Sequence, residues 1–481
     1  RLALGASRWR LARQWIAEGL VIAAAGAAAG LWLAHLAMRL VAALVPAALP
    51  GAAPALNGRV VLFAALLAAI TAMLFAAAPA LQALPARPIE ALKQRGGRRQ
   101  ARARQALVVA EVALAMIVLA GAGLLLRSLS RMQALALGFQ PQHRVIAQVD
   151  LASKPQAQWT AILARARANP GIRQVSAVTN LPMLSDVQNG GFEIAGRTIK
   201  PVPYAWYHVA SPGYFQAMGI PMLQGRDFSP RDTAAAPGVA IIDQAAARRY
   251  WPGQNAIGAR LRFLGFDEKP QWLTVIGMVG DTQQGSLRAQ PRPQIYACVF
   301  QHTEALYGMN IVAIGSGDLG PALRAAVRQV NPDLPVEITS MPALVAGASA
   351  APRFRTQLMG AFAALAWILA ALGIYGVVAQ DVLSRRHEIG IRMALGAAPG
   401  RVVGQCLGRG LMLAVAGTAA GLLLAAVITR LLASLLFQTS PADPAVFGVG
   451  AAALLATALA AGYFPARHAG RVPPAECLRA E

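Results

Sequence analysis

The sequence predicts an α-helical transmembrane protein of about six spans that carries a mixed α+β extracytoplasmic domain. Three observations predict it. Six apolar runs, 16–45, 60–84, 106–126, 358–382, 402–437 and 445–464, are long enough to cross a bilayer, because a spanning helix needs ~20 apolar residues. Apolar residues make up 56% of the chain and charged residues 14%, whereas a soluble chain has roughly 25% charged residues to cover its surface. Between the third and fourth runs the texture changes to short strand-like runs bounded by Gly, Pro and Asp.

The elements follow in order. Residues 1–93 hold the first two spans, 94–104 a basic linker and 105–130 the third span. The α+β domain occupies 131–352, and 353–481 hold three further spans. Some runs exceed the bilayer, so they tilt or project past it. The small-residue clusters GAAAG (26–30) and GTAAG (417–421) suit close helix approach. Strands are expected at 145–151, 175–180, 238–243, 273–281, 293–299 and 309–315. A helix over 156–168 stops at Pro170, and another over 321–330 opens on Pro321, a favoured first helical position. The block is large enough to bury a core and to divide into two subdomains.

The net charge of +23 invites a nucleic-acid reading, and its placement decides against one. Arg1, Arg8, Arg10 and Arg13 precede the first span. Arg87, Lys93, Arg95, Arg98, Arg99, Arg102 and Arg104 follow the second. Arg385, Arg386, Arg392 and Arg401 follow the fourth, and Arg467, Arg471 and Arg479 close the chain. The loop 46–59 has one Arg and 437–444 has none. Alternating six spans puts every strongly basic short loop on one side, which is the cytoplasm; Arg127 and Arg131 are a minor exception. The expected setting is a bacterial cytoplasmic membrane, multi-pass, with about 131–352 outside the cytoplasm.

No catalytic, metal or cofactor site is expected. Cys298, Cys406 and Cys477 are far apart, and His35, His143, His208, His302, His387 and His468 are scattered. The chain has no GxxxxGK[ST], HExxH or GxSxG motif. Glu111 lies inside the third span, where a carboxylate is a functional candidate by default, though close enough to the interface to snorkel. Asp381 sits at the cytoplasmic end of the fourth span.

The two ends of the chain match. RLALGASRWRLARQ (1–14) resembles RMALGAAPGRVVGQ (392–405), and Gly19, Gly26 and Gly30 match Gly410, Gly417 and Gly421 at one offset. PARPIEALK (85–93) resembles RVPPAECLR (471–479). Two copies of a two-span module imply pseudo-symmetry, and the chain reads as the C-terminal portion of a longer one. Residues 384–400 join two spans as a short amphipathic helix. In it Ile389 and Met393 share a stripe, and Glu388 and Arg392, four apart, can pair. It is either a basic anchor or a helix that docks into a partner's groove.

HEIGIRMALGA (387–397) resembles the signature of FtsX-like, MacB-type ABC transporter permeases. So do VASPGYFQAMGIPMLQGRDFSPRD (209–232), GVAIIDQAAARRYWPGQNAIGARLRF (238–263), WLTVIGMVGD (272–281), RPQIYACV (292–299) and the run 105–129. The repeat resembles the duplicated-permease subgroup. The resemblance implies a permease subunit that couples ATP hydrolysis in a separate cytoplasmic ABC ATPase dimer to export or release of an envelope substrate. ATP would be bound by that partner, and this chain would hold no cofactor. Other implied partners are the lipid bilayer, a periplasmic or outer-membrane protein, and a second permease module, as a pseudo-dimer or a homodimer; nucleic acid is not among them. Coupling would rest on Arg385, Arg386, Glu388, Ile389, Gly390, Arg392, Leu395 and Gly396, with Arg1, Leu4 and Gly5 as the first-copy counterpart. The alternative is a non-transporting transmitter or scaffold that regulates an extracytoplasmic partner.

Overall fold

The computed structural model describes residues 95–469, apart from 151–154, 185–188, 265–270, 286–290, 303–307 and 396–397, together with scattered helical positions between 17 and 70. It divides into two compact units, Arg131–Ala351 and the remainder.

The first unit is α+β with two lobes. In one, four antiparallel strands run in the order β11 (Val336–Ser340), β1 (Arg144–Asp150), β10 (Gly308–Gly315), β2 (Ile172–Val178). Residues alternate across a strand, so Ala147 and Val149, Ile311 and Ala313, Val175 and Ala177 share a buried face. Two helices cover that face, α2 (Pro155–Arg167) and α5 (Gly320–Val330). α2 buries Trp159, Ile162, Leu163 and Ala166, and α5 buries Leu323, Ala326 and Val327, each on one helical stripe.

The other lobe is a ring of six strands. β4 (Tyr204–Ala210) pairs β3 (Asn189–Ile194), and the ring continues through β7 (Arg260–Phe263), β8 (Leu273–Val279), β6 (Val239–Asp243) and β9 (Gln294–Cys298). β9 returns to β4 in parallel register, Trp206↔Gln294 to Ala210↔Cys298. The short β5 (Met222–Gly225) adds outside on β8. Closure buries alternate side chains inside, as in other small barrels. Tyr207 and Phe263 meet edge-on at 4.5 Å, and Phe192 meets Tyr250 at 5.1 Å. The lobes are stitched where β2 meets β4 at Val178↔Ala210, with Thr179 N–H donating to the Val209 carbonyl and Ser211 N–H to the Ala177 carbonyl on either side.

The sequence located β1, β2, β6, β8, β9 and β10 and both helices within a few residues. It missed β3, β4, β5, β7 and β11. β5 and β7 are four residues each, β3 opens on Asn-Gly-Gly and β11 is mostly polar, so none has a run long enough to show its period. β4 interleaves aromatics with His208, and that histidine is buried only because the ring closes.

The second unit contains four helices long and apolar enough to span a membrane, among the described residues. They are α1 (Arg95–Gln133), α7 (Ala350–Ser384), α9 (Pro399–Ile428) and α10 (Pro444–Ala469). The first two expected spans, 16–45 and 60–84, lie mostly outside the described residues, so a count of six is not established. α1 has 39 residues, ~58 Å at 1.5 Å each, and so projects well beyond the ~30 Å hydrocarbon core. The expected run 402–437 is not one helix. After Ile428 it tightens into a 3₁₀ segment, Thr429–Leu435, where Thr429 Oγ1 donates back to the Ala425 carbonyl at 2.6 Å.

Small residues set the packing here. A Cβ on Gly417 would lie 2.7 Å from Val112 Cβ, and one on Gly421 would lie 2.6 Å from Met116 Cβ and 2.8 Å from the Ala113 carbonyl oxygen. The GTAAG cluster is thus the face on which α9 meets the backbone of α1, as membrane helices do where small residues recur. Glu111 lies against Gly373 of α7.

Candidate coupling site

Two spans, α7 and α9, are joined by a helix of nine residues, α8 (Arg386–Ala394). The turn into it is built locally. Ser384 Oγ donates to the Asp381 carbonyl at 3.0 Å, and Arg385 Nε donates to the Asp381 carboxylate at 3.0 Å. Arg409, one helix on, donates to the other oxygen of the same carboxylate at 2.7 Å. Asp381 therefore ties the end of α7 to α9 and to the turn between them. Inside α8, Glu388 lies in the first turn and Arg392 in the last, the arrangement the helix dipole favours. The two pair at 2.5 Å, and Arg392 also donates to Gln405 Oε1 of α9 at 3.2 Å.

The helix has two faces. Ile389 and Gly390 are buried. Ile389 packs with Val402, Val382 and Met393. The stripe that the sequence singled out, Ile389 and Met393, thus points inward and anchors α8 to the spans. The face turned out carries Glu388, Ile391 and Arg392, and Leu395, which caps the helix, continues it at the i, i+3, i+4, i+7 spacing. Leu395 is 83% exposed and Ile391 41%. Sequence reasoning named Leu395 and missed Ile391; its i, i+3, i+4, i+7 relation to Glu388, Arg392 and Leu395 was the available signal. Arg385 is exposed at the entrance. Arg386 lies on the backbone of α8 as its first residue. Gly396, and the first-copy residues Arg1, Leu4 and Gly5, fall outside the described residues.

A second polar cluster lies in the six-stranded ring. Gln294 N–H and Ala246 N–H both donate to Asp243 Oδ1, at 3.0 and 2.7 Å, so Asp243 caps the helix Gln244–Tyr250, α4. Tyr296 and Gln284 donate to Gln294 Oε1 at 2.9 and 2.8 Å. His208 stacks on Tyr296 with centroids 4.7 Å apart. Burial pushes the Asp243 carboxyl up to about 8 and the His208 imidazole down to about 3. Both residues are wholly buried, so no substrate reaches them and the cluster is structural. No group of three or more potential metal ligands occurs among the described residues.

The family described as FtsX-like permease C-terminal matches residues 360–474, which include α8 and its flanking spans. The family described as MacB-like periplasmic core domain matches residues 106–330. The pyoverdine export ATP-binding/permease protein PvdT of Pseudomonas putida is 29% identical over 54% of this chain and 41% of its own. The macrolide export ATP-binding/permease protein MacB of Azoarcus sp. is 29% identical over 64% of this chain and 48% of its own. The crystal structure of the periplasmic region of MacB from Actinobacillus actinomycetemcomitans aligns at 14% identity and a TM-score of 0.32, over 44% of this chain and 95% of that one. The chain spans about half the length of the curated relatives it matches. Two adjoining family matches cover most of the chain, which belongs to the FtsX/MacB-type permeases, membrane components of ABC transporters.

Proposed function

We propose that this chain is the permease part of an exporter in a bacterial cytoplasmic membrane. A separate ABC ATPase dimer would bind α8 from the cytoplasm, and the α+β unit would face the other side. ATP would be bound by the ATPase alone. The observation that carries this reading is the outward stripe Glu388, Ile391, Arg392 and Leu395 on a nine-residue helix and its C-terminal cap. Apolar anchors flanked by an ion pair suit the groove of a protein partner. Asp381, bonded to both Arg385 and Arg409, would carry a push on α8 into α7 and α9 together. The relatives are named for export of pyoverdine and of macrolides, which supports export as the class of activity. A second permease module, from a duplicated chain or a second copy, would complete the assembly.

The test is ATP hydrolysis by the partner ATPase, measured with the permease in nanodiscs. Glu388→Lys should abolish the permease's stimulation while leaving it folded. Unchanged stimulation would remove α8 as the coupling element.

A further inference from the structure

The four-stranded lobe holds a cavity of about 500 Å³ at one end of its sheet. The start of β1 contributes His143 and Arg144, the start of β2 contributes Arg173, and the end of β10 contributes Ser316. Every charged or titratable group in the lining is a base, and none is a carboxylate.

Arg144 is the unusual member. It is 7% exposed, and arginine is almost never this buried unless paired with an acid. Its Nε donates to the Ala217 carbonyl at 2.6 Å, one Nη to the Gln142 carbonyl at 2.8 Å, and the other to Gln140 Oε1 at 3.4 Å. All three acceptors are neutral. Among the described residues no carboxylate stands within ion-pair distance. Burial pulls its pKa down, with no opposing charge to restore it. An uncompensated buried charge is costly, and an anion held in the adjoining cavity would remove that cost.

The remaining lining suits the same ligand. The Arg173 guanidinium is exposed and makes no hydrogen bond or ion pair among the described residues. His143 is held at φ 58°, a left-handed conformation uncommon outside glycine. Ser340 Oγ accepts from Ala343 N–H at 3.3 Å, which leaves its own proton free to donate. Two helices, α5 and α6 (Met341–Ala348), begin at the rim, where Leu319 and Ser340 are their caps. Their partial positive ends add to the field of the arginines.

We infer that this cavity binds a phosphate group. Two guanidinium groups supply two permanent positive charges and bidentate donors, which match a doubly charged tetrahedral oxyanion better than a lone carboxylate. The phosphate belongs either to a small soluble phosphate ester or to an anionic lipid headgroup. This site is independent of α8 and of ATPase coupling.

The test uses the full chain in maltoside detergent, which contains no phosphate. Inorganic phosphate titrated calorimetrically should bind saturably, and Arg173→Glu should weaken it at least tenfold. Arg328→Glu, a like charge change near the far end of α5, should leave it unchanged and so exclude a general field effect. The titration is then repeated in micelles doped with phosphatidic acid. Loss of phosphate binding there identifies a lipid headgroup as occupant, and an unchanged isotherm identifies a soluble ester. If neither inorganic phosphate nor phosphatidic acid binds in a manner that depends on Arg173, or if Arg328→Glu loses as much as Arg173→Glu, the assignment is wrong. Arg173 is exposed on a strand edge position, so its substitution tests binding without threatening the fold.

Discussion

Arg127 and Asp443 are 316 positions apart in the sequence and form an ion pair of 2.5 Å. Arg127 stands near the end of α1, and Asp443 precedes α10 and accepts from Ala445 N–H at 3.1 Å. A residue away, Ser128 Oγ accepts from Phe437 N–H at 2.8 Å. One end of α1 is therefore fastened to the connection between α9 and α10 by a charge pair and by a hydrogen bond from the Phe437 backbone to the Ser128 hydroxyl. The Asp443 side chain is only 10% exposed, so this is not an ordinary surface pair.

The pair is expected to behave asymmetrically. Arg127→Ala strands a mostly buried carboxylate and should cost on the order of 1–3 kcal/mol. Asp443→Asn removes the charge but keeps an oxygen for the Ala445 cap, and should cost less. Thermal unfolding in detergent of both variants and of the double variant gives the coupling directly. Equal losses, with additive effects in the double variant, would show that the pair contributes nothing of its own.

Helix approach at GTAAG gives a second expectation. Gly421→Leu forces atoms into the backbone of α1, and overpacking of this kind should cost at least ~1–3 kcal/mol. Gly448→Ala meets nothing within 4 Å and should be neutral. A Gly421→Leu protein that melts with the wild type would mean α1 and α9 are not in contact.

The two faces of α8 separate anchoring from docking. Ile389→Ala deletes a buried side chain and should lower local stability, read as faster hydrogen exchange over 386–394. Leu395→Asp alters only an exposed position, and should leave exchange unchanged while abolishing ATPase stimulation. The reverse pattern would assign docking to the Ile389 face.

The buried pair in the six-stranded ring predicts opposing pH effects. Asp243 titrates near 8 when folded and near 4 when unfolded. The folded state therefore holds the extra proton between these values, and this contribution weakens as pH rises from about 4 to about 8. His208 titrates near 3 when folded and near 6.5 when unfolded, so its contribution is lost as pH falls below about 6.5. Asp243→Asn should thus gain stability relative to the wild type as pH is raised from 5 to 8. Hydrogen exchange of β6 and β9 in the full chain reads this difference, and a difference that stays constant or moves in the wild type's favour with rising pH would contradict it.

What the sequence by itself determined is whatever depends on neighbours along the chain. Hydropathy over twenty residues located the four described spans, because a bilayer demands an unbroken apolar length. Pro170, where the run 156–168 stops, and Pro321, where the run 321–330 opens, located two helices, because helix starts and stops are local. The Glu388–Arg392 pair was legible because four residues make one helical turn. Tertiary structure alone decided which face of α8 turned inward, since Val382 and Val402 reach Ile389 from two other helices. It decided that Tyr204–Ala210 would close a ring with Gln294–Cys298, a parallel pairing that no local period announces. It also placed Arg144 among neutral oxygens, because burial and counter-charge are properties of what the folded chain brings alongside a residue, not of the residues beside it in sequence.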